Sequence, residues 1–547
     1  MIRSILYIAF IAILFPLSIR SQGNSFTYKD SLRGAMRKER EFDVTHYDLH
    51  VKINPDKKFI EGYNTISYVG KTDCNELQVD LFENMKILSI KAGSTNLKYR
   101  RIFDAIFIDY PIRLDKKDKI TIEFEGNPIV AKNAPWDGGF VFSKDQNGDH
   151  WIGVACEGTG ASLWWPNKDH LSEEPQNMDI YVTAPKGYMA ISNGKLIDEQ
   201  KSGKNNTTYH WHVSYPINNY NVTVYIGKYT HFTEEMKTLS NEKLMLNYYV
   251  LQYNLDKAKT HFEQTKKMLE SFDNYCGTYP FINDGYSLVE APYLGMEHQS
   301  AIAYGNEFLR GYKGERIPDH LHFDFIILHE SGHEYWGNSV SCTDHSEMWI
   351  HEGFTTYMES LYVEYMYGKE EGLKYLEYQK PFIKNNAPLL GPKDVNFDGN
   401  SSDIYYKGAW ILQTLRKSLS NDTLFFKIFK GFYDKHKYGF ATTMDFVDYV
   451  NLSSGFDYSA FFRQYLKHKP LPKLIYKIGH RDNYTSILYK WDCLESQFTF
   501  PVEFELDGKK IRLEPGFDWK NIEFNRNFKN VKPITRGLLI NVEEQKM

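Results

Sequence analysis

Between residues 45 and about 230 the apolar positions recur every second residue. Tyr47, Leu49, Val51 and Ile53 alternate with polar neighbours up to a turn at Asn54-Pro55-Asp56, and Ile120, Ile122 and Phe124 repeat the period. A period of two places alternate side chains on opposite faces of a strand, so this part predicts β-sheet with one buried face. From about 240 to 465 the spacing turns helical, with amphipathic stretches at Leu251–Asn274 and Phe461–Leu466. Lys467 to Pro472 reads as a linker. Beyond it Phe498, Phe500, Val502, Phe504 and Leu506 alternate again before Asp507-Gly508, a hairpin signal, and Pro501 predicts an edge strand. The expected architecture is multidomain α+β. A linker over 22–44 precedes an N-terminal β domain at 45–236, a mostly helical domain at 237–468 and a small C-terminal β-rich domain at 469–547.

The first residues follow another rule. Met1-Ile2-Arg3 begins a nearly unbroken apolar run from Ile5 to Ile19 that ends at Ser21. The run is shorter than the roughly 20 residues a membrane helix needs and fits a signal peptide over 1–21. The expectation is an exported chain, periplasmic or secreted according to its source, with no integral membrane segment once the signal is removed. The chain has 547 residues and a formal net charge of −5, so composition gives no electrostatic footprint for nucleic acid. Five cysteines without a C-x-x-C pair exclude a cysteine-built zinc module.

The chemistry concentrates at His329-Glu330-Ser331-Gly332-His333. Leu321, Phe325, Leu328 and Gly332 recur at helical spacing, and Pro318-Asp319 is the predicted helix start. Imidazoles at i and i+4 project from one face a turn apart, so both reach a single Zn²⁺, while Glu330 stands beside it as a base for water. Catalytic zinc takes three protein ligands. Glu352, with eighteen residues between it and His333, is the candidate third. It lies near the start of a second predicted helix, Met348 to Tyr367, opened by Asp344-x-x-Glu347 and closed by Gly368. Random order would give roughly 0.04 copies of H-E-x-x-H in such a chain, and roughly 0.003 with the further glutamate.

H-E-x-x-H followed after eighteen residues by Glu resembles the gluzincin aminopeptidases, peptidase family M1. His333 to Asn338 and Trp349 to Phe354 resemble the family's H-x-x-W/F-G-N and W-L-N-E-G-F runs, with His351 in place of Asn. Leu294-Gly295-Met296-Glu297-His298 resembles the exopeptidase motif G-x-M-E-N, departing at Leu294 and His298. Tyr405-Tyr406-Lys407-Gly408 resembles Y-x-K-G, and Cys156-Glu157-Gly158 resembles the Q-x-E segment with Ala155 in place of Gln. The resemblance implies a saddle-like N-terminal β domain and a thermolysin-like catalytic domain holding one zinc through His329, His333 and Glu352. It implies Glu330 as general base, Tyr405 as oxyanion donor, and Gly295, Met296, Glu297 and Glu157 as the substrate site, the two glutamates gripping a free α-ammonium. Periodicity alone does not choose between Tyr405 and Tyr406. The implied activity is removal of N-terminal residues from peptides. An epoxide hydrolase working beside the peptidase, a thermolysin-type endopeptidase and a catalytically silent peptide-binding homologue are the competing readings.

Overall fold

The computed structural model describes residues 26–397 and 401–547, so the predicted signal peptide lies outside the described residues. The period-two positions form the strands they predict. Phe42–Asn54 runs antiparallel to Phe59–Gly70 and parallel to Asn177–Pro185 near the middle of an eight-stranded sheet, with Tyr47, Leu49, Val51 and Ile53 buried. Lys117–Gly126 continues the sheet on the far side of Phe59–Gly70. A four-stranded sheet includes His150–Ala155, and the chain leaves that strand directly into the turn bearing Glu157.

The central unit opens on sheet rather than helix. Tyr229–Lys237, Lys243–Leu251, Tyr286–Glu290, Ile302–Tyr304 and Gly295–Met296 make a five-stranded sheet with Gly295–Met296 at its edge. The helix expected over Leu251–Asn274 starts at Leu255 and is divided into Leu255–His261 and Gln264–Tyr275. At the break Phe262 packs into the core, its ring 5.3 Å from Tyr248 and 5.1 Å from Tyr304. The remainder is mainly helical apart from the short parallel pair Val340–Cys342 and Gly439–Ala441, and Ser459–Lys467 ends it.

Lys473–Arg481 then starts a C-terminal unit of two small sheets, one of four strands and one of three. Val502–Leu506 and Lys509–Leu513 form the predicted hairpin, with φ of 46° at Asp507 and 84° at Gly508. The edge-strand expectation is corrected: Val502–Leu506 is the middle strand of three. Pro501 stands just before it, where no ladder N–H is lost. Phe498 and Phe500 lie outside the strand, with ring centroids 5.2 and 4.8 Å from Trp491. Among the described residues no helix is long and apolar enough to cross a membrane.

Candidate metal centre and peptide cleft

The histidine helix is Phe325–Gly332, seven residues later than Pro318 predicts. Leu321 has helical spacing, but Gly311 N–H donates to Phe323 O at 2.7 Å and Phe325 N–H to Gly311 O at 3.2 Å, pinning Asp324 in a β-bridge beside Gly311. Asp324 therefore becomes the cap, accepting from the backbone of Ile326 and Ile327 at 2.9 and 3.3 Å. The second helix spans Trp349–Tyr367 and closes at Gly368, whose φ of 97° suits glycine. Asp344 accepts from Ser346 N–H in the turn before it, but Glu347 turns to the backbone N–H of Thr443, so the expected capping box is half made.

His329, His333 and Glu352 meet at one point. Nε2 of His333 is 3.2 Å from Nε2 of His329, and Glu352 Oε2 is 3.4 Å from the His329 nitrogen and 3.3 Å from that of His333. The far nitrogens are committed: Nδ1 of His329 donates to Glu359 Oε1 at 2.8 Å, and Nδ1 of His333 to Trp336 O at 2.9 Å. With both Nδ1 protonated, neutral rings present bare Nε2 lone pairs, and protons on both would collide at that separation. Glu352 Oε2 is buried without a hydrogen-bond donor. Three donor atoms at about 2.0–2.1 Å around a tetrahedral ion stand about 3.3–3.4 Å apart, so this orphaned face fits zinc in spacing and chemistry. Burial opposes charge on the imidazoles, yet Glu352 in front and Glu359 behind push His329 up, and Glu352 and Glu297 push His333 up to about 9. The pocket is built to hold positive charge.

Glycines allow this approach. A Cβ on Gly353 would lie 2.9 Å from Gly408 Cα, so the Glu352 helix and the helix Asp403–Leu419 touch backbone to backbone. That contact sets Tyr405 over the centre, its ring stacked 5.9 Å from His329, while Tyr406 packs 5.3 Å from Phe382. Burial and then the Glu352 charge push the Tyr405 phenol well above 10, so it stays protonated. A Cβ on Gly295 would come within 2.7 Å of Glu330 Oε1, so the edge strand and this carboxylate share the same space. Burial pushes Glu330 up to about 7, with the His329 and His333 imidazoles opposing and Glu297 adding to the rise.

Glu297, Glu330 and His333 also converge, with one donor atom from each within 4.8 Å of the others. Glu297 accepts from Tyr220 O–H at 3.2 Å, and Asn338 donates to its backbone carbonyl at 2.7 Å. Glu297, Glu330 and His333, with Glu157, Gly295, Met296 and Tyr405, surround a cleft of about 500 Å³. His298 and His351 are fully buried and do not line it. Burial pushes both imidazoles down to about 3, and His298 Nδ1 donates at 2.7 Å to a Tyr225 hydroxyl that itself donates to Ala301 O. At position 298 the departure from the motif is a buried side chain packed outside the cleft. Sequence reasoning missed Glu359 and Tyr220, and gave no role to Asn338 at the end of its motif run. Glu359 was within its reach, lying seven residues after Glu352 on one helix face.

A model of the peptidase M1 N-terminal domain matches residues 44–220, and a model of the peptidase family M1 domain matches 260–465. Aminopeptidase N of Lactobacillus helveticus is 23% identical over 530 residues, covering 88% of this chain and 58% of that protein. Human glutamyl aminopeptidase is 25% identical over 438 residues, covering 73% and 44%. The chain thus spans less than two thirds of the length of these curated relatives. Legionella pneumophila aminopeptidase A, solved in complex with aspartic acid, superposes with a TM-score of 0.74 at 18% identity, over 93% of this chain and 60% of that one. A Deinococcus radiodurans M1 zinc metallopeptidase variant bound to a Tyr-Ser-Ala substrate gives 0.65 at 18% identity, over 79% and 95%. Both likenesses bear on the fold. Because the two domain models together take in more than half of the chain, including every residue of the donor face and the Glu157 turn, the chain belongs to peptidase family M1.

Proposed function

We propose that the chain is a zinc aminopeptidase that hydrolyses the first peptide bond of peptides with a free N-terminus. The observation that carries this reading is the shared cleft: an orphaned donor face, a buried carboxyl beside it and two further glutamates, Glu297 and Glu157, in the same lining. One zinc per chain, held by His329, His333 and Glu352, would supply Lewis acidity, polarising the scissile carbonyl and lowering the pKa of water at the site.

The chain's own groups do the rest. Glu330, with its pKa raised to about 7 by burial, takes a proton from the attacking water and returns it to the leaving amine nitrogen. Tyr405 donates its O–H to the carbonyl oxygen as charge builds there. Glu297 and Glu157 accept from the substrate α-ammonium, a charge-assisted contact that fixes where the peptide begins. Gly295 and Met296 offer the free edge of their strand, along which an extended peptide adds as one more strand.

The test is Glu330→Gln, which keeps shape and removes the proton acceptor. Zinc content should be unchanged and kcat should fall at least about 10²-fold. Retained activity with normal zinc would assign the proton transfer to another group.

A further inference from the structure

The residues ahead of the family match are not a free linker. Tyr28–Gly34 is a helix, and Lys38–Arg40 a single turn leading into the strand at Phe42. Arg37 donates to the carbonyls of Ser31 and Leu32. Arg40, fully buried, donates to Leu32 O at 2.9 Å, to Asp80 at 3.0 Å and to Asp169 O at 2.9 Å. The segment is fastened down as a strap.

We propose that this strap, through Arg33, shapes the amine end of the cleft: it holds the turn that carries Glu157 and fills the space beyond it, so that substrates must begin there. Nη1 of Arg33 donates to Thr159 O at 2.7 Å and to Asp169 Oδ2 at 2.9 Å, and Asp169 also accepts from the backbone and hydroxyl of Ser162. One guanidinium therefore anchors both ends of the segment 159–162. Thr159 N–H in turn donates to Glu157 O, and Gly160 N–H to Cys156 O, each at 2.7 Å. Gly158 and Gly160 have φ of 71° and 100°, and a Cβ on Gly160 would lie 2.1 Å from Arg33 Nη1. The turn is moulded around the arginine.

The strap's other side meets the catalytic unit. Asn396 N–H donates to Asp30 O at 2.8 Å, and a Cβ on Gly34 would lie 2.2 Å from the carbonyl carbon of Val395. What remains behind Glu157 is a void of about 20 Å³, lined by Arg33, Gly34, Val395 and Asn396. It has room for about one water and none for a residue. Glu157, His345 and Met348 border both this void and the cleft, so a peptide extended past its first residue would run into the strap. Arg33 is a positioning residue, acting through the turn.

The inference rests on the aminopeptidase reading. Its test is Arg33→Ala and Arg33→Lys in the full chain, assayed on a free tripeptide and its N-acetylated form. For Arg33→Ala, KM on the free tripeptide should rise about tenfold with kcat within about twofold, the mark of weakened ground-state binding. The preference for free over acetylated substrate should shrink by a similar factor, and Arg33→Lys, which keeps a charge for Asp169, should recover part of both. An unchanged preference, or equal losses on both substrates together with lost zinc, would overturn the proposal. If Arg33→Ala does not fold, Gly34→Ala, which drives the strap off Val395, must narrow the same preference, and failure to do so overturns it equally. Wild-type enzyme that does not cut the free tripeptide overturns the aminopeptidase reading and this inference together. Wild type that cuts it, with strap variants unaltered, overturns only the inference.

Discussion

Glu359 offers a demanding test because it is buried and stands directly behind a candidate ligand. Its carboxylate takes three hydrogen bonds: Oε1 from His329 Nδ1 at 2.8 Å, and Oε2 from Tyr375 O–H and Gln379 Nε2, both at 2.7 Å. Glu359→Gln preserves the outline but leaves one carbonyl oxygen for three donors. The lost charge makes His329 a weaker donor to a cation, and carboxylates in this outer position are worth about 10–100-fold in metal affinity, or about 1.4–2.7 kcal/mol. The amide NH₂ must also face at least one buried donor, a mismatch costing about 1–3 kcal/mol of fold stability. The two effects separate experimentally. Competition against chelators of graded strength reads zinc affinity, while urea unfolding of the metal-free chain reads stability. With zinc in excess the variant should bind one equivalent and recover kcat to within about threefold. Zinc affinity within about twofold of wild type would show that His329 does not depend on this carboxylate, and the reasoning from its orientation would fail.

Two further outcomes follow from the same geometry. Tyr405→Phe removes a donor aimed at developing charge, so kcat should fall about 10²–10³-fold with zinc unchanged, while Tyr406→Phe should cost little; steady-state kinetics of the pair checks this. Gly353→Ala places a methyl against Gly408, so it should cost about 1–3 kcal/mol in denaturant unfolding and lower kcat by displacing Tyr405.

The legible part of the site was the part written locally. His329, Glu330 and His333 share one helical turn, and Glu352 sits three residues into a helix that Gly368 visibly closes, so spacing alone brought them within reach of one another. The helix starts later than Pro318 implies because a bridge from Gly311, outside any local window, pins Asp324 in extended backbone. The helical expectation from about 240 likewise missed the Tyr286–Glu290, Gly295–Met296 and Ile302–Tyr304 strands, which are short and buried throughout and so carry no alternation. Tyr220 bonding Glu297, and Arg33 bonding Thr159, join residues 77 and 126 positions apart, and no periodicity encodes such pairs. Resemblance brought Glu297 and Glu157 forward as a pair, whereas Arg33 precedes the stretch that resemblance covers.

On this reading a bound zinc and an amine-gripping pair of glutamates confine hydrolysis to the first peptide bond. One measurement addresses all of it: mass spectrometry over time of one unblocked peptide and its N-acetylated twin, each incubated with chelated and with zinc-restored protein. The expected result is stepwise loss of single residues from the free N-terminus of the unblocked peptide, only with zinc restored, and an essentially intact acetylated twin. Internal cleavage of both peptides, or equal trimming with zinc removed, would contradict it.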